Sequence, residues 1–334
     1  MSDQSFLSGK TILVTGGTGT FGHAFIPRLL AIPGIKKIIV FSRDEFKQSI
    51  MQNEIKDSED KMRYFLGDVR DAARLDRAFN GVDIVVHAAA LKQVPAIEYN
   101  PLEAIKTNVL GTQNVVDAAL NNNVEKVLFV SSDKAVYPIN LYGATKLCAE
   151  KLVVAANAYS DSNKAGTKFS VVRYGNVIGS RGSIVELIEK QRPTGAITLT
   201  DDRMTRFWIK VSKVMNVIFE TLERMEGGEI FVPKMKSLKV IDVVKTLASE
   251  CAINVIGIRP GEKLHEILIT ENEAKRTRDV GNFYAIVPEI TNKETSRVLP
   301  SYNTRPLFNA NSIYMSNHGD FLLPIEKAKE VLES

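Results

Sequence analysis

Cysteine is scarce in this 334-residue chain. Only Cys148 and Cys251 are present, and neither belongs to a CxxC pair. A disulfide framework and a cysteine-rich zinc site are both excluded. Histidine is scarce as well: four residues, scattered, with no HExxH pattern, so no metal is expected. The single tryptophan, Trp208, reads as core rather than as a platform for a base. No apolar run reaches the roughly 18 residues of a membrane span. The opening MSDQSFLSGK has no basic segment followed by an apolar one, so no secretion signal is expected. A surplus of one charge is also missing. Lys+Arg number 43 and Asp+Glu 39, interleaved, for a net charge of +4. Nothing in that balance calls for nucleic acid, while a mild basic excess suits a small anionic ligand. Hydrophobic residues at 44% and charged residues at 25% are ordinary globular values. The expectation is a soluble, cytoplasmic protein of about two domains.

Six apolar segments alternate with helical patterns over the first half. They are KTILVTGG, KKIIVFS, RYFLGD, DIVVHAAA, EKVLFVSSD and KFSVVRYGNV. The alternation predicts βαβ units and a parallel sheet covered on both faces, wound with right-handed crossovers. Pro27 is expected to weaken the first helix. After about residue 180 the strict alternation stops. The reading is an α/β protein with a doubly wound Rossmann-type sheet in 1–180 and mainly a smaller substrate lobe in 181–334, with a soft boundary.

The first strand runs into TGGTGTFG, where Gly16, Gly19 and Gly22 stand at G-x-x-G-x-x-G spacing. Glycines there permit a tight turn and let backbone approach a pyrophosphate, and the helix start supplies N–H donors. The spacing is wider than the usual G-x-G-x-x-G. Twenty residues after Gly22 stands Ser42 instead of an acid, followed by Arg43 and, one helical turn on, Lys47. A cationic pair suits a 2′-phosphate, so NADP is preferred over NAD; Asp44 still stands within reach of a ribose. Asp68, in GDVRD, is either an adenine acceptor or a plain turn residue.

The fifth strand ends in SSDKAVYP, followed by NLYGATK. Tyr142 and Lys146, four apart at a helix start, share one face. A free phenol, with its pKa near ~10, is a poor base at neutral pH. A neighbouring ammonium and a positive nicotinamide favour the phenolate. Tyr142 is then placed to take a proton from a sugar hydroxyl that Ser132 holds in position.

Together TGGTGTFG, GDVRD, HAAA, TNVLGT, SSDKA, YGATK and RPGEKLHE resemble the extended short-chain dehydrogenases/reductases that act on nucleotide sugars. The resemblance covers nearly the whole chain. It places Thr18, Thr20, Phe21, Val69, Ala88, Ala89, Ala90, Asn108 and Tyr174 along the cofactor. Dehydratases of this superfamily carry an acidic pair after the Ser/Thr; here the pair is Asp133-Lys134. That departure makes SSDKAVYPINLYGATK similar to the soluble, configuration-inverting UDP-N-acetylglucosamine 4,6-dehydratases of pseudaminic acid biosynthesis. Longer membrane-bound relatives generally have Met where this chain has Tyr142.

The resemblance implies a UDP-sugar substrate, a tightly bound and recycled NADP, and a homo-oligomer. In such a reaction C4 is oxidised, Lys134 removes the acidified C5 proton and Asp133 protonates the departing C6 hydroxyl. Hydride then returns to C6, and C5 is reprotonated on its other face. Lys134 must be neutral for this, and burial together with Lys146 and NADP is expected to push its pKa down. Asp133 must carry a proton; burial favours that and the same cations oppose it, and the balance stays open. Arg206, Arg259 and Glu262 are placed near the nucleotide, with Lys92, Asn176 and Arg181 as further substrate contacts. A retaining dehydratase, a nucleotide-sugar epimerase and a non-enzymatic NADP sensor are the alternatives. Lys134 speaks against an epimerase, and the intact Tyr142 and Lys146 against a sensor.

Overall fold

The computed structural model describes residues 4–160, 166–180, 182–288, 299–308 and 312–333. All six expected strands form: β1 (Thr11–Thr15), β2 (Lys37–Ser42), β3 (Met62–Leu66), β4 (Ile84–His87), β5 (Lys126–Val130) and β6 (Lys168–Val172). They pair in parallel in the order β3-β2-β1-β4-β5-β6. This is the doubly wound order, and its direction reverses between β1 and β4, where a crevice opens at the carboxyl ends of the strands. All five residues of β1 are buried, as a strand covered on both faces requires.

The connecting helices are α1 (Thr20–Leu30), α2 (Glu45–Glu54), α3 (Ala72–Phe79), α4 (Val94–Tyr99), α5 (Pro101–Ala104), α6 (Gly111–Asn121) and α7 (Leu141–Ala155). A π-helical turn, Ile105–Leu110, joins α5 to α6. Asp44 and Asp71 cap α2 and α3 with their side chains, and Asn140 caps α7. Pro27 lies inside α1, which nevertheless continues to Leu30. Apolar Phe25, Ile26 and Leu29 bury that helix against the core and offset the lost donor.

The later strands are β7 (Asn176–Ile178), β8 (Ala196–Leu199), β9 (Thr205–Lys210), β10 (Ile230–Pro233), β11 (Lys236–Lys239), β12 (Ala252–Val255), β13 (Ile267–Ile269), β14 (Thr277–Asp279), β15 (Phe283–Ile286) and β16 (Tyr314–Met315). Of these, β10, β15 and β14 extend the main sheet beyond β6 to nine strands, β10 in parallel and the last two antiparallel. The β11-β9-β7 sheet and the β8-β12 and β13-β16 pairs form around it. A second apolar cluster, with Ile197, Trp208, Leu238 and Val244, lies under these strands, so Trp208 is core as expected. Arg173 ties the two parts together. It is buried after β6 and paired with Glu150 on α7 at 2.6 Å and with Glu273, beyond β13, at 3.0 Å.

Candidate active site

A cleft of about 680 Å³ opens at the carboxyl ends of β1, β2, β4, β5 and β6. Its floor is the glycine turn. Gly16 has φ +66°, and a Cβ there would stand 2.8 Å from the Ala89 Cα, so both conformation and space demand glycine. Gly22 lies inside α1, and a Cβ on it would stand 1.7 Å from the Gly17 carbonyl; it seats the helix on the strand and does not line the cleft. The start of α1 carries no side-chain cap, and Thr18, Gly19, Thr20 and Phe21 line the cleft beside it. Uncapped N–H groups and the helix dipole at that point favour an anion.

Ser42, Arg43, Asp44, Lys47, Asp68 and Val69 line one end. Asp44 is committed to α2: its carboxylate accepts the Lys47 N–H at 3.0 Å and meets Lys47 Nζ at 3.0 Å. Those bonds hold the Asp44 carboxyl below the usual carboxylate range. Asp68 pairs with Arg70 at 2.7 Å and Arg43 at 3.8 Å. Ala88, Ala89 and Ala90 form the wall after β4. Asn108 is buried behind that wall. It accepts from the Leu91 N–H at 2.8 Å and donates to the Leu91 carbonyl at 2.9 Å and to Thr145 at 3.0 Å. It therefore fastens the wall to α7 instead of lining the cleft.

The other end holds Ser132, Lys134, Tyr142, Lys146 and Tyr174. The fold places Tyr142 in the first turn of α7 and Lys146 one turn on. Burial raises the Tyr142 pKa; Lys134 and a Ser132 hydrogen bond lower it, and Asp133 raises it. The cation opposing burial at the phenol is thus Lys134. Lys146 donates to the Val130 carbonyl at 2.7 Å and lies 4.0 Å over the Phe129 ring. Burial pulls its pKa from 10.5 to about 7, against the opposing pull of Glu150.

That depression has a consequence for stability. The unfolded chain holds the Lys146 proton up to about pH 10 and the folded chain only to about 7, so stability rises across that window. Below pH 7 the buried ammonium costs a few kcal/mol, at ~1.36 kcal/mol per pKa unit. Lys146→Met in the ligand-free protein should therefore melt several degrees higher at pH 6.5. The gain should shrink as pH approaches 10. Calorimetry at both pH values checks this; a variant no more stable at pH 6.5 contradicts it.

Asp133 is fully buried after β5. It accepts from Ser132 Oγ at 2.9 Å and from Lys134 Nζ at 2.9 Å through the same oxygen. Lys134 Nζ also faces Asn176 Oδ1 at 3.4 Å and Glu266 Oε1 at 3.6 Å. The expected depression of Lys134 is corrected here. Burial pulls its pKa down, but Asp133 and Glu266 together outweigh burial and the repulsion of Arg206, and the net shift is upward. The sequence reading counted nearby cations and left out both Asp133, one residue before Lys134, and Glu266, 132 positions further along the chain.

Lys92 and Asn176 line the cleft. Arg206 does not: it is buried, donating to the carbonyls of Thr205, Lys263 and Leu264 at 2.8, 2.9 and 3.0 Å. Arg259 is exposed, its N–H 3.4 Å from Glu262 Oε2, and neither residue lines the cleft. Arg181 lies outside the described residues. Lys263, Glu266 and the cleft residues Thr107, Ser180 and Met215 escaped the sequence reading. For the first two the signal was present in RPGEKLHE, of which only the first half was weighed. Among the described residues no His/Cys/Asp/Glu cluster could hold a metal, and no helix is long and apolar enough to cross a membrane.

Residues 12–288 match the family described as "Polysaccharide biosynthesis protein". The chain belongs to this family. Its fold is that of the extended short-chain dehydrogenases/reductases. It is 50% identical over 285 residues to the UDP-N-acetylglucosamine 4,6-dehydratase (inverting) of Campylobacter jejuni, covering 85% of this chain and 84% of that one. It is also 42% identical over 285 residues to the UDP-glucose 4-epimerase of Rickettsia canadensis, covering 83% and 82%. The X-ray structure of Pen from Bacillus thuringiensis superimposes with a TM-score of 0.87 at 35% identity, covering 98% of this chain and 100% of that one.

Proposed function

We propose that this protein is a configuration-inverting UDP-N-acetylglucosamine 4,6-dehydratase working with a tightly held NADP. The observation that carries the reading is the 2.9 Å contact between buried Asp133 and the cleft-lining Lys134, beside Ser132 and Tyr142. A 4-epimerase needs only the redox step at C4 and gives such a pair no task.

A nicotinamide dinucleotide suits the cleft in shape and charge. The glycine turn and the uncapped start of α1 would hold its pyrophosphate. Arg43 and Lys47 support NADP, because Asp44, the acid a ribose hydroxyl would need, is spent on its helix cap. When bound, the nicotinamide supplies the hydride acceptor for C4 and the donor for C6. Tyr142 takes the C4 hydroxyl proton, and Ser132, fixed by Asp133, orients that hydroxyl.

Lys134 is held as an ammonium in the free protein, so its proton must leave first. Asp133 is the acceptor at hand. Moving one proton from Lys134 Nζ to Asp133 breaks an N–H bond, forms an O–H bond and leaves both groups neutral. In a site closed to water that neutral pair escapes the desolvation cost of two ions. The amine then takes the C5 proton, and the acid gives its proton to the leaving C6 hydroxyl. The original ion pair is restored.

The resemblance to pseudaminic acid enzymes supports a cytoplasmic place in that pathway. Exposed Tyr99, Leu102 and Leu110 along α4 to α6 support a homo-oligomer. The deciding experiment is incubation of the purified protein with UDP-N-acetylglucosamine in D₂O, read by proton NMR. The expected product is a 4-keto sugar with a C6 methyl, deuterium at C5 and L-arabino couplings. Nucleotide released by denaturation should be mainly NADP. A retained C5 configuration, or a C4 epimer alone, overturns the reading.

A further inference from the structure

Beneath Lys134 lies a group that none of the steps above uses. Glu266, just before β13, is 3% exposed, yet its carboxylate faces three cations: Lys134 at 3.6 Å, Lys263 at 3.7 Å and Arg206 at 3.8 Å. Its backbone N–H donates to Ser316 Oγ at 2.9 Å, which pins the segment from behind. The same loop grips the catalytic strand end at two further points. Lys263 Nζ donates to the Val136 carbonyl at 2.6 Å, and Asn140 Nδ2 to the Gly261 carbonyl at 2.7 Å. The chain between Lys134 and Tyr142 is thus clasped by RPGEKLHE, with Glu266 at its inner end.

We propose that Glu266 is a positioning residue for Lys134: it fixes the amine toward the cleft and stabilises the ammonium formed when Lys134 takes the C5 proton. The inference rests on the dehydratase reading above. Three acceptor oxygens, of Asp133, Asn176 and Glu266, surround Lys134 Nζ. Asp133 and Asn176 accept hydrogen bonds from it and Glu266 is an ion-pair contact; an ammonium has three N–H donors, a neutral amine two and a lone pair. Once Asp133 has taken the proton, the vacated lone pair lies on the Asp133 side of the amine, and the amine turns about its Cε–Nζ bond to present it to C5 with the Glu266 charge still beside it. A buried charge 3.6 Å away also makes the amine a stronger base, since Coulomb attraction is little screened there.

The charged and titratable groups facing Lys134 are Asp133 before it, Tyr142 on α7, Lys92 after β4, Arg206 on β9, and Lys263 and Glu266 before β13. Of these, Glu266 can be neutralised without touching a group given a proton-transfer step. The test is the rate of C5 deuterium exchange from pH 8 to about 12 in Glu266→Gln, the range in which a lysine raised above its ordinary 10.5 loses its proton. The rate should rise where Lys134 becomes neutral; in the variant that acid limb should move to lower pH by about one unit, because Lys134 loses a proton more readily without the carboxylate, and the plateau above it should fall about tenfold. Reduction of the bound nucleotide on C4 oxidation should change less than about threefold. Glu266→Asp, which keeps the charge at a shorter reach, should leave the acid limb in place and lower the plateau only.

A fall uniform in pH for Glu266→Gln, with the limb unmoved, assigns Glu266 a structural role and overturns the inference. If that variant does not fold, a plateau undiminished in Glu266→Asp overturns it instead. A wild type without C5 exchange defeats the dehydratase reading itself, which separates the two failures.

Discussion

Tyr142→Phe should fold, retain its nucleotide and lose 4-keto sugar formation by about 10³-fold or more, the range for removing a positioned general base. The expected loss rests on the placement of the phenol. Burial holds it protonated in the free protein, while Lys134 and Ser132 pull the other way. It stands in the first turn of α7 and lines the cleft with Ser132 and Lys146. Without its oxygen no group takes the C4 hydroxyl proton, and every later step requires the ketone. The structural loss is small. Only the hydroxyl is removed, and the ring still fills its place. Stopped-flow absorbance of the reduced nucleotide should be flat, while melting temperature and released nucleotide match the wild type. Undiminished turnover would remove Tyr142 from the chemistry.

The first half of the fold was legible because its strands are buried on both faces. Such strands read as unbroken apolar runs, and Ile12, Leu13 and Val14 are an example. The later strands of the same sheet were not legible. β14 and β15 are three and four residues long and reach their place only through a β10 that pairs with β6 from 59 residues further on. Within the site, residues from Ser132 to Lys146 form one local motif, and sequence spacing sufficed to group them. Asn108 and Arg206 look like ligand contacts because both are polar beside the right motifs, yet their side chains are spent on backbone carbonyls. The charge of Lys134 was the hardest quantity to read. It depends on Asp133, one residue before it, and on Glu266, which only the folded chain brings within 3.6 Å.

That charge decides what replacing Lys134 will do. Lys134→Ala should block product formation, but it also leaves buried Asp133 without its cation and Glu266 with only Lys263 and Arg206. Breaking such a buried pair costs about 3–5 kcal/mol, so lost activity in that variant mixes chemistry with stability. Lys134→Arg separates them. A guanidinium keeps the positive charge between the carboxylates and retains its proton at any working pH. The variant should therefore melt within a few degrees of wild type and still oxidise C4. Reduced nucleotide should then accumulate, or return to the starting sugar. No C6 methyl should appear in the proton NMR spectrum, and the recovered sugar should carry no deuterium at C5. Lys134→Ala should share those NMR results at a lower melting temperature. The wild type run alongside should place one solvent deuterium at C5 while the original C4 hydrogen appears at C6. Deuterium entering C5 in Lys134→Arg at the wild-type rate would assign the C5 proton to another base. The buried pair would then be a purely structural feature of the strand end.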